Sequence, residues 1–373
     1  MHLIFPLLLC LLMGGIALYM FFFFRRLWRM LFPRLTRRFV FFLSLACGAV
    51  YGACSLFAPP LVSVLLLHVF VIQAVCQLVH FAVRKIAKRR YESGMRVFKT
   101  VYCIGILPLL LAAVMVTAGY FNMYDLTRSA YTLYTDKEIP SEGYRFAVIS
   151  DVHFGVSIDE EELERVAEEI EGQAIDAVFL CGDLVDDRTE KAEMHALFDI
   201  LGNIDTKLGV YYVYGNHDRN MRALSSHFTD EELVAAIEGS GITVLRDESV
   251  RLTDSLTVIG REDRSREREE IGVLAADCDQ SDYIVTLDHQ PSDYENNREA
   301  GTDLLLSGHT HAGQFFPMNL LQHIIPFNDG VWGLYELGGD AKAIVTSGLA
   351  GWGFPIKTAG KAEYLIIDVL PRG

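Results

Sequence analysis

The stretch Gly308-His309-Thr310-His311 places two histidines just after an apolar run. Four polar clusters upstream have the same setting, at Asp151-Val152-His153, Gly182-Asp183, Gly215-Asn216-His217-Asp218 and Asp288-His289. The preceding runs of apolar, β-branched or aromatic residues predict buried strands at 144–150, 177–181, 210–214, 283–287 and 303–306. Sites in open α/β sheets form at the carboxyl ends of strands. We therefore expect one sheet edge to gather these side chains into a divalent-metal site.

Amphipathic segments lie between the predicted strands. Residues 159–171 place apolar side chains on one face, and Ser157 to Glu160 fit a capping box at the start. Residues 229–238 repeat this pattern, and 343–346 and 364–369 predict further strands. Strands that alternate with helices predict an α/β layered domain.

Charge and hydropathy divide the 373 residues into two halves. Residues 1–122 hold 13 of the 33 Lys and Arg and one of the 48 Asp and Glu. The remainder has 20 Lys and Arg against 47 Asp and Glu, a formal charge of −27. Apolar runs at about 3–24, 39–57, 61–83 and 101–121 each have the length of about 20 residues that crosses a bilayer. We predict a membrane anchor over 1–122, a linker over 123–143 and a compact domain over 144–373.

Basic residues between the apolar runs predict the orientation of the anchor. The first loop contains Arg25, Arg26, Arg29, Arg34, Arg37 and Arg38, and the third contains Arg84, Lys85, Lys88, Arg89, Arg90, Arg96 and Lys99. The positive-inside rule makes both loops cytoplasmic, so the domain after the fourth span is predicted to be extracytoplasmic. Residues 1–24 do not fit a cleaved signal peptide, because their arginines follow the apolar run.

The polar clusters supply ligands for two metal ions. Carboxylates and imidazoles suit Mn, Fe or Zn, and one carboxylate can bridge two ions about 3.5–4 Å apart. The candidate ligands are Asp151, His153, Asp183, Asn216, His289, His309 and His311. Each motif alone has another explanation, since His289 could be a core histidine, Asp288 a helix cap and residues 216–218 a solvated loop. Their joint occurrence, each after a strand, favours the metal site.

The ordered motifs resemble those of the calcineurin-like metallophosphoesterase superfamily, namely D-x-H, G-D-x-x-D, G-N-H-D/E, a lone H and G-H-x-H. They stand here at Asp151 to His153, Gly182 to Asp186, Gly215 to Asp218, His289 and Gly308 to His311. Residues 309–314, 347–349 and 351–356 resemble the membrane-attached bacterial branch and the group called transmembrane protein with metallophosphoesterase domain. Ala312 departs from that branch, in which many members have a second glycine. The resemblance implies a four-layer α/β/β/α sandwich after the four transmembrane helices.

The resemblance also implies a mechanism. One ion is held by Asp151, His153, Asp183 and His311, and the other by Asp183, Asn216, His289 and His309. His217 protonates the leaving oxygen or stabilises the transition state, and Asp218 fixes its orientation. A hydroxide that bridges the ions attacks a phosphate ester or anhydride, such as a phosphodiester or pyrophosphate. We expect two divalent ions as cofactors, with Mn preferred and Fe, Zn or mixed pairs as alternatives.

The substrate is constrained by charge and apolar residues. A domain at −27 without a basic aromatic patch disfavours nucleic acid. Arg219 could contact a phosphate or lie on the surface. Apolar residues within 315–332, with Trp352 and Phe354, could form a lip for an acyl chain or could pack against the second sheet. Relatives in the branch imply a UDP-diacylglucosamine-type or other lipid-linked phosphate, besides phosphorylated small molecules, and no obligate protein partner is evident.

Other functional classes fit the sequence less well. A transporter needs polar groups within its spans, and only His68, Gln73, Gln77 and His80 qualify. Serine hydrolase and P-loop motifs are absent from the sequence. A non-catalytic metal-binding sensor or scaffold that retains the fold is the alternative, although such a protein is expected to have lost ligands.

Overall fold

The computed structural model describes residues 4–87, 95–219, 227–325 and 327–373, which divide into the compact units Met1–Gly119 and Tyr120–Gly373. The first unit contains α1 (Ile4–Leu31), α2 (Arg37–Phe57), α3 (Pro60–Ala87), α4 (Met95–Ile104) and most of α5 (Ile106–Tyr124). Within the described residues, four segments are long and apolar enough to cross a membrane: Leu9–Leu31, Arg37–Phe57, Pro60–Ile86 and Ile106–Tyr124. Four apolar helices were predicted, and this is confirmed.

The helix ends differ from the prediction. Arg25, Arg26 and Arg29 lie within α1 rather than in a loop, because arginine is a good helix former and its long side chain can extend to the membrane surface. The predicted fourth span is interrupted at Gly105, whose φ of 85° ends α4 before α5 begins. Lys88, Arg89 and Arg90 of the third basic loop lie outside the described residues.

Small residues let α1 and α2 approach closely. A Cβ atom on Gly48 would lie 2.6 Å from the carbonyl oxygen of Ala17, and one on Gly52 would lie 2.9 Å from the Ala17 Cβ. Spacing by four residues puts both glycines on one face of α2. This is the small-xxx-small pattern by which membrane helices pack without side chains between their backbones.

The second unit alternates strands and helices. Its elements are β1 (Thr127–Thr135), β2 (Tyr144–Ile149), α6 (Glu160–Glu171), β3 (Ala177–Cys181), α7 (Lys191–Gly202), β4 (Val210–Val213), α8 (Asp230–Gly239), β5 (Thr243–Val244), β6 (Glu248–Thr253), β7 (Leu256–Gly260), α9 (Ile271–Leu274), β8 (Tyr283–Leu287), α10 (Tyr294–Glu299), β9 (Leu304–Ser307), α11 (Met318–Ile324), β10 (Gly333–Gly338), β11 (Ala341–Val345) and β12 (Glu363–Pro371). In the described residues these strands form two six-stranded sheets, ordered β1-β12-β2-β3-β4-β5 and β10-β11-β9-β8-β7-β6.

The two sheets pack face to face over a buried apolar core. Phe146 and Phe179 of the first sheet belong to the same core as Val258 and Leu306 of the second. Leu163 of α6, Leu197 of α7 and Leu233 of α8 cover the outer face of the first sheet. Ile271 of α9 packs with Ile259 and Ile284 on the second. The predicted four-layer α/β/β/α sandwich is therefore confirmed.

Three local predictions need correction. The predicted linker 123–143 contains β1, which pairs in parallel with β12 at the far end of the chain. Helix α6 is capped by Asp159, which accepts from the Glu162 N–H at 3.0 Å, rather than by a box that starts at Ser157. The metal motifs follow strands of both sheets rather than one, since β2, β3 and β4 belong to the first sheet and β8 and β9 to the second.

Candidate metal centre

The backbone is strained where the predicted ligands leave their strands. Five of the seven have positive φ angles: Asp151 (52°), His153 (40°), Asp183 (52°), His309 (68°) and His311 (49°). L-residues rarely adopt this conformation, which costs of order 1–3 kcal/mol each and persists where surrounding structure enforces it. Such strain is concentrated at functional sites.

Two glycines make room for the ligand carboxylates. A Cβ atom on Gly308 would lie 2.2 Å from Asp151 Oδ2, and one on Gly215 would lie 2.1 Å from Asp183 Oδ1. Any side chain at either position would displace the carboxylate beside it. Glycine at both positions therefore allows the ligand carboxylates to pack directly against the backbone.

The first cluster of candidate ligands contains Asp151, His153 and His311, all buried. His311 Nε2 lies 3.4 Å from Asp151 Oδ1 and 3.3 Å from His153 Nε2. The ligand atoms of all three residues lie within 4.8 Å of one another. This arrangement can hold a divalent ion.

The second cluster contains Asp183, His289 and His309. Asp183 Oδ2 lies 3.1 Å from His289 Nε2 and also 3.9 Å from His153 Nε2 of the first cluster. The Asp183 carboxylate therefore stands between the two clusters, as a bridging ligand must.

Two atoms of the predicted ligands, Asn216 Oδ1 and His289 Nε2, are among the buried polar atoms that have no hydrogen-bond partner in the described residues. A buried polar atom without a partner is costly, and each such atom requires an explanation. Both carry lone pairs and belong to the predicted ligand set. The donor set therefore fits two divalent ions.

Three histidines are oriented through their Nδ1 atoms. His153 Nδ1 lies 3.1 Å from Asp186 Oδ2, His289 Nδ1 lies 2.8 Å from the Cys181 carbonyl, and His311 Nδ1 lies 3.1 Å from the Ala350 carbonyl. With the proton held at Nδ1, the Nε2 lone pair is free to bind metal. Asp186 was given no role from sequence, although the G-D-x-x-D spacing contains it.

Burial keeps two of the ligand imidazoles neutral. It lowers the pKa of His309 to about 4 and the pKa of His311 to about 3. Burial would raise the pKa of Asp183, but the His289 and His153 imidazoles hold it well below its usual range. Neutral imidazoles and an ionised carboxylate are the forms that bind metal.

His217 lies beside the clusters without belonging to either. Its ring centroid is 5.3 Å from that of His153 and 5.5 Å from that of Trp352. Its backbone N–H donates to Asp183 Oδ1 at 2.7 Å. The His217 side chain therefore lies next to a candidate ligand of the first cluster.

Asp218 does not have the predicted role of orienting His217. Its carboxylate is buried and accepts hydrogen bonds from the backbone N–H groups of Asp183, Leu184, Val185 and Gly215. Within the described part of the chain, none of its hydrogen bonds reaches the His217 ring. Asp218 instead connects the loops after β3 and β4 by hydrogen bonds. Its side chain points into the core, where backbone N–H groups need a hydrogen-bond acceptor.

Two further polar residues have structural partners. Arg219 is buried, with its guanidinium 3.7 Å from the Tyr214 ring centroid and Nη1 2.9 Å from Glu262 Oε1. It is therefore not a surface residue, because Tyr214 and Glu262 hold its guanidinium in the interior. Asp288 accepts from Arg261 at 3.1 Å and from Arg268 at 3.0 Å, and it caps no helix.

The loop over residues 347–362 forms a wall beside His217, and the sequence did not indicate the buried lysine in it. Lys357 is fully buried in it and donates from Nζ to the carbonyls of Ser347 and Gly348, the latter at 3.0 Å. Burial lowers the pKa of Lys357 to about 7. Nothing in the sequence distinguishes this buried lysine from a lysine on the protein surface.

The alternative that residues 315–332 pack against the second sheet is contradicted for α11. None of the residues of this helix is buried. Phe315 and Phe316 just before it are half-buried.

Comparisons with known proteins agree with the motifs. Residues 144–313 match the family described as calcineurin-like phosphoesterase. The chain is 30% identical over 243 residues to an uncharacterized metallophosphoesterase of Helicobacter pylori, a match that covers 64% of this chain and 61% of that protein. It is 28% identical over 279 residues to a transmembrane protein with metallophosphoesterase domain of Danio rerio, covering 69% and 61%.

A shorter relative matches along its whole length. An uncharacterized metallophosphoesterase of Aquifex aeolicus is 26% identical over 276 residues, which cover 71% of this chain and 100% of that protein. By contrast, the chain spans about six-tenths of the Helicobacter and Danio proteins.

Proposed function

We propose, from the match of residues 144–313 to the calcineurin-like phosphoesterase family, that the protein is a membrane-anchored hydrolase of phosphate esters or anhydrides that uses two divalent ions. One observation carries the proposal: two groups of metal-binding side chains meet at the carboxylate of Asp183. A sensor that had kept only the fold would not need to retain both groups.

The clusters support a division of ligands between two ions. Asp151, His153 and His311 would hold one, and His289, His309 and Asn216 the other, with Asp183 shared. Two bound ions would neutralise charge on a phosphoryl group. They would also lower the pKa of a bound water molecule towards neutral pH. Mn is the preferred identity, and Fe, Zn or mixed pairs also suit these ligands.

His217 is the proposed proton donor to the leaving oxygen. Its ring centroid lies 5.3 Å from that of His153 and 5.5 Å from that of Trp352, which supports a place beside the first cluster. General acid catalysis by a placed imidazole contributes typically 10²–10⁴-fold to rate.

The proposed substrate class is a phosphorylated small molecule or a lipid-borne phosphate. The charge of −27 on residues 123–373 disfavours polyanions such as nucleic acid, and the apolar helices tether the site to a membrane. Within the described chain no feature selects a UDP-diacylglucosamine-type lipid, so the proposal stays at the level of the class.

The test uses the full chain in detergent. Metal is removed with a chelator, and hydrolysis of chromogenic phosphodiesters and phosphomonoesters is measured before and after Mn²⁺, Zn²⁺, Mg²⁺ or Fe²⁺ is returned. We expect turnover only with metal. A folded chain that binds metal and hydrolyses neither these esters nor a pyrophosphate would favour the sensor or scaffold instead.

We also propose that the second unit is extracytoplasmic, on the basis of the basic residues between the first and second spans and between the third and fourth. Protease added to intact cells should then cleave the carboxyl-terminal unit. Cleavage that requires permeabilised cells would contradict this orientation.

A further inference from the structure

Helix α11 and the residues after it expose apolar side chains that a folded unit normally buries. Ile324 is 73% exposed and Phe327 is 69% exposed. The exposed set, which we name the α11 surface, consists of Leu320, Leu321, Ile324, Ile325, Phe327 and Trp332. Leu320 and Ile324 are four residues apart and so share one side of the helix. Exposed apolar residues clustered in this way mark an interaction site.

The α11 surface is also free of charge. Residues 315–328 contain no Asp, Glu, Lys or Arg, although residues 123–373 carry a formal charge of −27. Anionic lipid headgroups repel the acidic remainder of this part of the chain. The segment 315–328 can approach them without that penalty and can bury its side chains among acyl chains.

Hydrogen bonds connect Gln314, four residues before α11, to the wall of the metal centre. Gln314 donates from Nε2 to the carbonyls of Trp352 and Phe354, at 3.3 Å and 2.9 Å. The ring of Trp352 in turn lies 5.5 Å from that of His217. The α11 surface and the metal centre are therefore held by one loop.

The same loop is bound to the last turn of α5, within the second unit. Asn122 Nδ2 donates to the Lys357 carbonyl at 3.2 Å, and the Ala362 N–H donates to the Asn122 carbonyl at 2.9 Å. Met123 is fully buried, and a Cβ atom on Gly351 would lie 2.4 Å from its Cε. Helix α5 is long and apolar enough to cross a membrane, so a loop bound to its last turn would lie near a bilayer surface.

We propose that the α11 surface is a membrane-contact surface, which inserts into the lipid interface of the bilayer that holds the chain's own helices. Short apolar segments beside polar ones lie in this way at membrane interfaces. The contact stands apart from catalysis. Its consequence, that the metal centre opens towards phosphates carried by lipids, rests on the proposed hydrolase function.

The test is depth-dependent fluorescence quenching in the full chain. The three native tryptophans, Trp28, Trp332 and Trp352, are replaced by Phe, and Ile324→Trp supplies the only reporter. The protein is reconstituted into phosphatidylcholine and phosphatidylglycerol vesicles with or without brominated acyl chains. Brominated lipid should reduce the emission of this reporter roughly twofold or more, as for a side chain below the headgroups.

A matched control uses Val273→Trp in the same background. Val273 is likewise apolar and 59% exposed, but it lies on α9 outside the α11 surface. Its emission should respond to an aqueous quencher and not to brominated lipid. Equal behaviour of the two reporters would overturn the proposal. A reporter at 324 that neither quencher reaches would show that protein, either a second copy or a partner, covers the surface, and would overturn it as well.

A second measurement avoids the tryptophan replacements. The unmodified full chain is reconstituted with a phospholipid that carries a photoreactive acyl chain, and labelled peptides are identified by mass spectrometry. Label should appear in 318–332 and not in 271–275. Both measurements are independent of turnover, so a failed membrane contact and a failed hydrolase assignment can be told apart.

Discussion

The Asp183 carboxylate lies between the two ligand clusters, which differ in the group that orients one of their histidines. In the first cluster, His153 Nδ1 faces the side-chain carboxylate of Asp186 at 3.1 Å. In the second, His289 Nδ1 faces the backbone carbonyl of Cys181 at 2.8 Å. A carboxylate partner makes an imidazole a stronger ligand, and its loss weakens metal binding. The first ion position can therefore be weakened through a neighbouring side chain, whereas the second depends on the backbone.

Removal of the shared ligand should have the largest effect. Asp183→Asn has almost the same shape but lacks the negative charge that both ions need. We expect loss of both ions and a fall in turnover of more than about 10³-fold, beyond the 10–100-fold typical of an outer partner. Metal content by mass spectrometry and ester hydrolysis measure this. Asp205→Asn, at an exposed position, is the matched control. If the Asp183→Asn variant retained two ions, Asp183 would not be a ligand that both ions need.

His217→Ala separates catalysis from metal binding, since His217 belongs to neither cluster. Both ions should remain, and turnover should fall about 10²–10⁴-fold because the proton donor is lost. The same metal analysis and ester assay give the two readouts. Unchanged turnover would show that the proton comes from elsewhere.

Asp186→Asn tests the difference between the clusters. The ion of the first cluster should bind about 10–100-fold more weakly, while the ion of the second keeps its affinity. Stepwise metal titration of the chelated full chain distinguishes the two ions. Equal weakening of both would mean that the clusters are not supported separately.

Ala312→Gly should have the smallest effect. Ala312 follows His311 of the first cluster and has a φ of 53°, which glycine adopts without strain. Relief of about 1–2 kcal/mol of strain, less about 0.5–1 kcal/mol for the flexibility of glycine, leaves a gain of roughly 0.5–1 kcal/mol in the free energy of unfolding. Thermal denaturation measures this gain, and metal content should not change. A loss of stability would indicate that Ala312 makes packing contacts that outweigh its strain.

The strands and the ligand residues could be predicted because each polar motif follows an apolar run, and burial of that run fixes where the motif begins. The pairing of distant strands could not. Strand β1 alternates between exposed and half-buried residues over most of its length, and its partner β12 lies at the other end of the chain. Nothing local in the sequence separates such an edge strand from a polar linker.

The sequence also did not predict the direction in which a polar side chain points. Asp218 stands next to His217 in sequence, yet its carboxylate binds backbone amides in the core. Asp186, three residues after Asp183, faces His153 across the loop. Spacing predicts which residues come near the site, but whether a side chain turns towards it or away from it depends on the packed structure.

The most direct test of the dinuclear site is turnover measured against the number of ions bound per chain. The chelated full chain is titrated with Mn²⁺ while bound metal and hydrolysis are followed together. We predict that activity rises to a maximum as the second ion binds. Full turnover with one ion, or a folded chain that binds none, would contradict it.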